Sequence, residues 1–279
     1  MTDQEQARSF GAVARAYDRG RPGYPAEAGQ WLTNGPGRSV LEVGAGTGKL
    51  TALLVGQGHD VHATDPDEAM LAVLADRLPD VRTSVAGAED LPVPDRSVDV
   101  VVCGQSFHWF DLEKALPELA RVLKSGGHLA VVWNETYRKI PWVRRLEDII
   151  GDQHQEDPAA PVKSSGLFGF VDEAEFRHWQ DINRESIVDL AASHSRIAVL
   201  GEAERAAKIA EVRAFYEDFG RGMDGMQLPY VARCFRAQVL DHGIPGRGPS
   251  ETTSADEGSS IGPFTSDGTD TDMLLIDFR

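Results

Sequence analysis

Cysteine is almost missing from this chain of 279 residues: Cys103 and Cys234 are the only two. Both fall in apolar runs that read as strands. That excludes a disulfide framework, offers no zinc-ligand spacing, and leaves two buried free thiols with no metal site expected. Positive charge is also scarce, with 28 Lys and Arg against 44 Asp and Glu and a net charge of −16. Proteins that grip phosphate backbones present a basic face. An RNA or DNA partner is therefore disfavoured, although Arg15, Arg19 and Arg21 form one local basic cluster. No apolar run approaches the roughly 20 residues that a membrane helix needs. The segment Met1-Thr2-Asp3-Gln4-Glu5 lacks the basic start and apolar stretch of a secretory signal. These absences predict a soluble, cytoplasmic protein that works on a small molecule, with no membrane partner.

What is present is an alternation of apolar strands and helical segments, the rhythm of a parallel sheet with crossover helices. Strands are predicted at 39–43, 60–64, 81–85, 98–103 and 128–134, with helices near 48–57, 67–77 and 111–124. Phe10, Val13 and Tyr17 at helical spacing predict an N-terminal helix over 4–17, broken by the Pro- and Gly-rich stretch 20–25. After Trp133-Asn134-Glu135 the rhythm fails. Residues 137–200 are expected as an insertion, helical in its first part, that forms a lid over the sheet edge, with strand six at 176–182. An amphipathic helix is predicted at 201–219 (Ala206, Ile209, Val212, Phe215, Phe219) and strand seven at 228–237.

Glycine is clustered where chemistry is expected. Residues 39–48 read Ser-Val-Leu-Glu-Val-Gly-Ala-Gly-Thr-Gly, and the second strand ends in Asp65. A strand opening into a glycine turn, with a carboxylate closing the next strand, suits an adenosine: glycine permits close backbone approach, and the carboxylate accepts from the ribose hydroxyls. A dinucleotide fingerprint would need glycine at position 49, which is Lys49. A P-loop would need glycine at 43 and a hydroxyl at 50, which are Val43 and Leu50. Two further stretches follow in order. One is Ala86-Gly87-Ala88-Glu89-Asp90-Leu91-Pro92 before the fourth strand. The other is Leu123-Lys124-Ser125-Gly126-Gly127 before the fifth.

Together these segments resemble the three signatures of class I S-adenosylmethionine-dependent methyltransferases, in the type 11 group that includes ubiquinone/menaquinone- and trans-aconitate-methyltransferase-like enzymes. The one departure is Ser125 where proline is common. The resemblance covers about 3–240 and is strongest over 39–134. It implies an α/β fold: a doubly wound, seven-stranded Rossmann-like sheet with its last strand antiparallel. It implies S-adenosyl-L-methionine as cofactor. Glu42 would serve the cofactor's ammonium, and Gly44, Ala45, Gly46 and Gly48 would lie against its methionine portion and ribose. Asp65 would take the ribose hydroxyls, Ala88 and Glu89 would flank the adenine, and Gln105 would sit near the methionine portion.

Other side chains admit two readings each. His108, in Ser106-Phe107-His108-Trp109-Phe110, lies near substrate in similar enzymes and is the candidate proton-transfer group, or it caps the sheet through backbone hydrogen bonds. Tyr17 and Arg21 belong to a stretch that often closes over cofactor and substrate in this family. Both are cofactor-binding candidates, with Arg21 pairing with the methionine carboxylate or with an anionic substrate, or the stretch is only a rigid connector. Trp133, Asn134, Tyr137 and Trp142 line an aromatic substrate pocket or glue the insertion to the sheet. Ser193-His194-Ser195-Arg196 reads as a helix entry capped by Ser193 or Ser195.

From Asp241 the chain turns to Gly, Ser, Thr and Pro, with eight acidic residues against Arg247 and Arg279. Such a segment buries too little apolar surface to offset its ordering entropy, so 241–279 is expected to be disordered outside the 1–240 domain. The functional expectation is methyl transfer to a small organic molecule at oxygen or carbon. The alternatives are a methyltransferase acting on RNA or protein, and a non-catalytic module that keeps the cofactor pocket.

Overall fold

The protein is described by a computed structural model covering residues 18–151, 157, 159–219 and 225–241. All of these fall in one compact unit, Met1–Pro245; Gly246–Arg279 lies outside the described residues, as do the predicted helix over 4–17 and nearly all of the acidic tail. In chain order the elements are α1 (Ala26–Thr33), β1 (Ser39–Val43), α2 (Lys49–Gly56), β2 (Asp60–Asp65), α3 (Glu68–Arg77), β3 (Arg82–Val85) and β4 (Val98–Gly104). A short 3-10 turn (Phe107–Trp109) leads to α4 (Leu112–Val122) and β5 (Leu123–Thr136). There follow α5 (Pro141–Ile150), α6 (Ala159–Ser164), β6 (Phe168–Ile182), α7 (Ser186–Ala192), α8 (Ser195–Ala198), α9 (Glu202–Phe219) and β7 (Met226–Val239).

Seven strands form one sheet in the order β3-β2-β1-β4-β5-β7-β6. The first five are parallel, and β7 runs antiparallel to both β5 and β6. The central strands are continuous apolar runs because both faces are covered. Leu41, Val43, Val101, Cys103 and Val131 pack to the face of α4, while Val40, Val100, Val102, Ala130 and Val132 pack to the face of α1 and α2. Both cysteines are buried free thiols. Burial raises Cys103 strongly and pushes Cys234 up to about 12, so neither ionises near neutral pH.

A separate core roofs one end of the sheet. Val143, Leu146 and Ile150 of α5 meet Ile187 and Leu190 of α7 and Val212 and Phe215 of α9 over Ile182, Leu228 and Tyr230 at the ends of β6 and β7. We call this layer the cap. Two predictions need correction here. Strand six begins at Phe168, not at 176, and so runs through the expected insertion. On this edge strand Asp172, Glu173, Glu175 and Arg177 alternate with less exposed neighbours, and charged edge positions hide the apolar signature of a strand. Helix α9 matches the predicted 201–219, but only its C-terminal half buries side chains (Val212, Phe215, Tyr216), and Ala206 is exposed.

Candidate functional site

The turn after β1 is shaped by hydrogen bonds across to β2: the N–H groups of Gly44 and Ala45 both donate to the Thr64 carbonyl, at 2.8 and 2.9 Å. Gly44 has φ +74°, and a Cβ there would stand 2.4 Å from the Ser106 Cβ. Ser106 cannot retreat, because its hydroxyl donates to the Val43 carbonyl at 2.7 Å. Gly46 (φ +56°) is different: a Cβ there meets nothing within 4 Å, so its bare Cα faces open space. Gly48 (φ +82°) opens α2 from the left-handed region, against Leu74.

Two carboxyl groups flank this loop. Glu42 is 1 % exposed and accepts a hydrogen bond from the Thr51 hydroxyl at 2.7 Å. Burial pushes its pKa up to about 8, partly opposed by Thr51 and reinforced by Asp65. Asp65, at the end of β2, accepts from the Gly46 N–H and the Asp67 N–H, both at 2.9 Å. Burial lifts it to about 6 against those two hydrogen bonds. A carboxylate offers about four lone-pair positions, so two remain at Asp65 for a ligand.

Glu42, Gly44, Ala45, Gly46, Gln105 and Arg21 all line one cleft of about 420 Å3, together with Tyr24 and Lys49. Gly48 and Asp65 stand behind the loop. Gln105 holds φ +57°, uncommon for a non-glycine residue, and its side-chain amide donates to the Asn134 carbonyl at 3.0 Å. Ala88 is buried in the main core, and Glu89 accepts the Asp111 N–H at 2.9 Å; neither lines this cleft. Tyr17 lies outside the described residues.

Residues 18–25 cross the end of the sheet as a strap. Asp18 is paired with Arg77 of α3 at 2.6 Å and lies 3.8 Å from Lys49. Arg19 makes two bonds to Asp189 of α7, at 2.7 and 2.9 Å. The Gly20 carbonyl accepts from Gln180, and the Gly23 carbonyl accepts from Asn134. Asn134 also meets His178 Nε2 through its Oδ1 at 2.9 Å, so one side chain ties the strap, β5 and β6 together.

A second cleft, of about 530 Å3, lies on the cap side and shares Arg21, Pro22, Gln105 and Asn134 with the first. His194 and Tyr230 line it, with the ion pairs Glu147–Arg138 (2.7 Å) and Glu135–Arg233 (3.0 Å) supplying its charged wall. His108 lines neither cleft. Its ring leans on Trp109 (4.5 Å between centroids), its Nδ1 is sealed without a hydrogen-bond partner among the described residues, and burial, then Arg21, pushes its pKa down to about 4.

The aromatic candidates serve packing: Trp133 is buried edge-on against Phe235, Trp142 packs on the cap core, and Tyr137 lies between the cations of Lys139 and Arg177. The expected capping by Ser193 is also corrected. Its hydroxyl turns back to donate to the Leu190 carbonyl at 2.6 Å, closing α7 instead of opening α8. His194 and Tyr230 line the second cleft although nothing in the sequence sets them apart: one lies in a serine-rich helix entry and the other in an ordinary strand.

The comparisons with known proteins agree with this geometry. Residues 41–131 match a family profile described as a methyltransferase domain. An uncharacterized methyltransferase of Mycobacterium tuberculosis is 39% identical over 239 residues, spanning 85% of this chain and 98% of that protein. One from Schizosaccharomyces pombe is 32% identical over 233 residues, spanning 80% and 93%. Among solved structures, a provisionally named type II methyltransferase from Anaeromyxobacter dehalogenans shares the fold with a TM-score of 0.56 at 24% identity, covering 81% of this chain and 99% of that one.

Proposed function

The chain belongs to the class I S-adenosylmethionine-dependent methyltransferases, and from that premise we propose that it transfers a methyl group from S-adenosyl-L-methionine to oxygen or carbon of a small organic molecule. When bound, the cofactor supplies an electrophilic methyl group on a sulfonium. The residues present fit it. A buried carboxyl at Glu42, raised to about 8, ionises more readily when a cation enters beside it. Gly46 offers a surface with no side chain, and Asp65 keeps acceptor capacity for a diol while holding the loop.

The observation that carries the reading is the shared wall of the two clefts. Arg21, Pro22, Gln105 and Asn134 border both, so a donor in one and an acceptor in the other meet under the strap, away from bulk water. The net charge of −16 favours a small acceptor over nucleic acid. The test uses methyl-labelled cofactor with three acceptor pools: a small-metabolite extract, bulk tRNA and bulk protein. Label confined to the small-molecule fraction is the expected result. Label in tRNA or protein overturns the acceptor class, and tight cofactor binding with no transfer to any pool favours a binding module.

A further inference from the structure

The two edges of the sheet differ in kind. On one side β3 is four residues long, and a short edge strand resists pairing with another chain. On the other, β6 runs for fifteen residues and is joined to β7 along one side only. Among the described residues, no backbone group of 169–181 makes a hydrogen bond outside that ladder. Alternate N–H and C=O groups along β6 therefore point outward, a template for a further strand. Exposed apolar bulk collects on the same strand: Phe170 is 78 % exposed and Trp179 is 60 % exposed.

Charge ordinarily keeps such an edge single, and Asp172, Glu173, Glu175, Arg177 and Asp181 are all exposed here. Their order admits one exception. When two copies of an edge strand pair antiparallel about a two-fold axis, residues equally spaced on either side of the axis meet. With Phe176 on the axis, Glu175 of each copy stands opposite Arg177 of the other, so the attraction occurs twice. Glu173 then meets Trp179, Asp172 meets Gln180, and Val171 meets Asp181, with no like charges opposed. Neighbouring registers lose this. Centred on Glu175, the pairing sets that carboxylate against its own copy. Centred on Arg177, it opposes two guanidinium groups and sets Glu173 against Asp181. Opposite charges across a strand pair stabilise it, and like charges directly opposite destabilise it.

The two side chains that would set the register are available. Neither Glu175 nor Arg177 forms an ion pair with another described residue. Arg177 lies over the Tyr137 ring at 5.2 Å, which steadies its guanidinium on the exposed face. Near its start β6 slips register against β7 between Phe168 and Val171, and such an irregularity bends a strand and ends regular pairing.

We propose that β6 is a dimer interface, at which two copies of this chain join edge to edge through residues 171–181, held in register by two Glu175–Arg177 pairs. Main-chain hydrogen bonds drive the association, and the charge order selects the partner and the register. The proposal is independent of the methyl-transfer reading.

The experiment is sedimentation equilibrium of the full-length protein at neutral pH and low salt, wild type beside two charge-reversal variants. Wild type is expected to approach twice the monomer mass as its concentration rises to about 100 μM. Glu175→Arg and Arg177→Glu each oppose like charges at both symmetric positions, and each should weaken the dimer by about tenfold or more. An equimolar mixture of the two variants sets opposite charges at both positions again, so dimer should return at close to wild-type affinity. That rescue cannot come from a variant that merely fails to fold. A wild type still monomeric at about 100 μM overturns the proposal. So do single variants that dimerise as tightly as wild type, or a mixture that associates no better than its components. Hydrogen exchange tests the remaining occupants of the edge: outward amides of 171–181 that stay protected in dilute monomer would show another segment lying there, and would also overturn it.

Discussion

The two clefts touch, yet they are made of different materials. The cofactor-side cleft takes its centre from one continuous piece of chain, Glu42 to Leu50 of the β1–α2 turn, and completes its wall with the strap and the ends of β4 and β5. The cap-side cleft is built from side chains drawn from the strap, β4's end, β5, α5, the end of α7, and β7. The turn is held because its parts are covalent neighbours and the N–H groups of Gly44, Ala45, Gly46 and Gly48 all have partners. A site of the second kind is only as fixed as the ion pairs and hydrogen bonds that bring distant segments together. On the methyl-transfer proposal the first would hold the cofactor and the second the acceptor.

The largest test of that contrast lies in the glycine loop. Gly44→Ala forces a Cβ against the Ser106 Cβ at positive φ, and should cost about 2–4 kcal/mol in urea denaturation, with cofactor affinity lost as well. Gly46→Ala, also at positive φ but with open space around it, should cost only about 1–2 kcal/mol of stability. If the two variants unfold at the same midpoint, the steric account of Gly44 is wrong.

Next in size is Asp65→Asn, which removes the charge that orders Gly46 and Asp67. Calorimetry should show S-adenosylhomocysteine binding about 10–100-fold more weakly, with the fold retained. A variant that binds as tightly as wild type would deny Asp65 its part in the cleft.

The buried acids also set a pH dependence. Glu42 moves from 4.5 to about 8 on folding and Asp65 from 3.8 to about 6. The folded state binds protons that the unfolded state has released, which lowers stability as pH rises; below about 6.5 the six histidines whose pKa values burial lowers act in the opposite sense, so the fall is cleanest between about pH 7 and 8, where Glu42 is responsible. Glu42→Gln should flatten thermal melting over that range. A wild-type melting temperature that climbs over the same range contradicts the burial of that carboxyl.

Smaller effects are expected on the cap side. His108 lines neither cleft, so His108→Ala should leave both S-adenosylhomocysteine affinity and turnover within about twofold of wild type; a large loss of turnover with affinity kept would return His108 to the reaction. Asp189→Ala cuts the Arg19 tie between strap and cap. Because Arg19 is 60 % exposed, the loss should stay below about 1 kcal/mol by denaturation. A much larger loss would show that the strap is held at that one point.

The contrast between the clefts also explains what could be read in advance. β1, β4 and β5 are legible because burial on both faces fills them mostly with Val, Leu and Ala, and β2 because its buried run ends in Asp65. The glycines and Asp65 are legible because their jobs are local. The start of β6 is not legible because its charged edge positions carry no apolar period, and the N-terminal half of α9 departs from its amphipathic pattern because, among the described residues, its side chains are not buried. Asn134 stood out as a strand-end residue, but its three-way tie depends on Gly23 and His178, far away in sequence. His194 gave no signal beyond a serine-rich cluster, since only the folded cap brings it to Tyr230 and Arg21.

Everything on the cofactor side depends on a glycine-lined cleft, with Glu42 in its wall and Asp65 holding its loop, that accepts a positively charged nucleoside. Titration calorimetry of wild-type protein with S-adenosylmethionine, run at pH 7 in two buffers of different ionisation heat, tests this most directly. The account predicts saturable binding with a net release of protons, as Glu42 ionises against the arriving cation, Asp65 being largely ionised already at that pH. Absence of binding, or tight binding of a nicotinamide dinucleotide in its place, would contradict it.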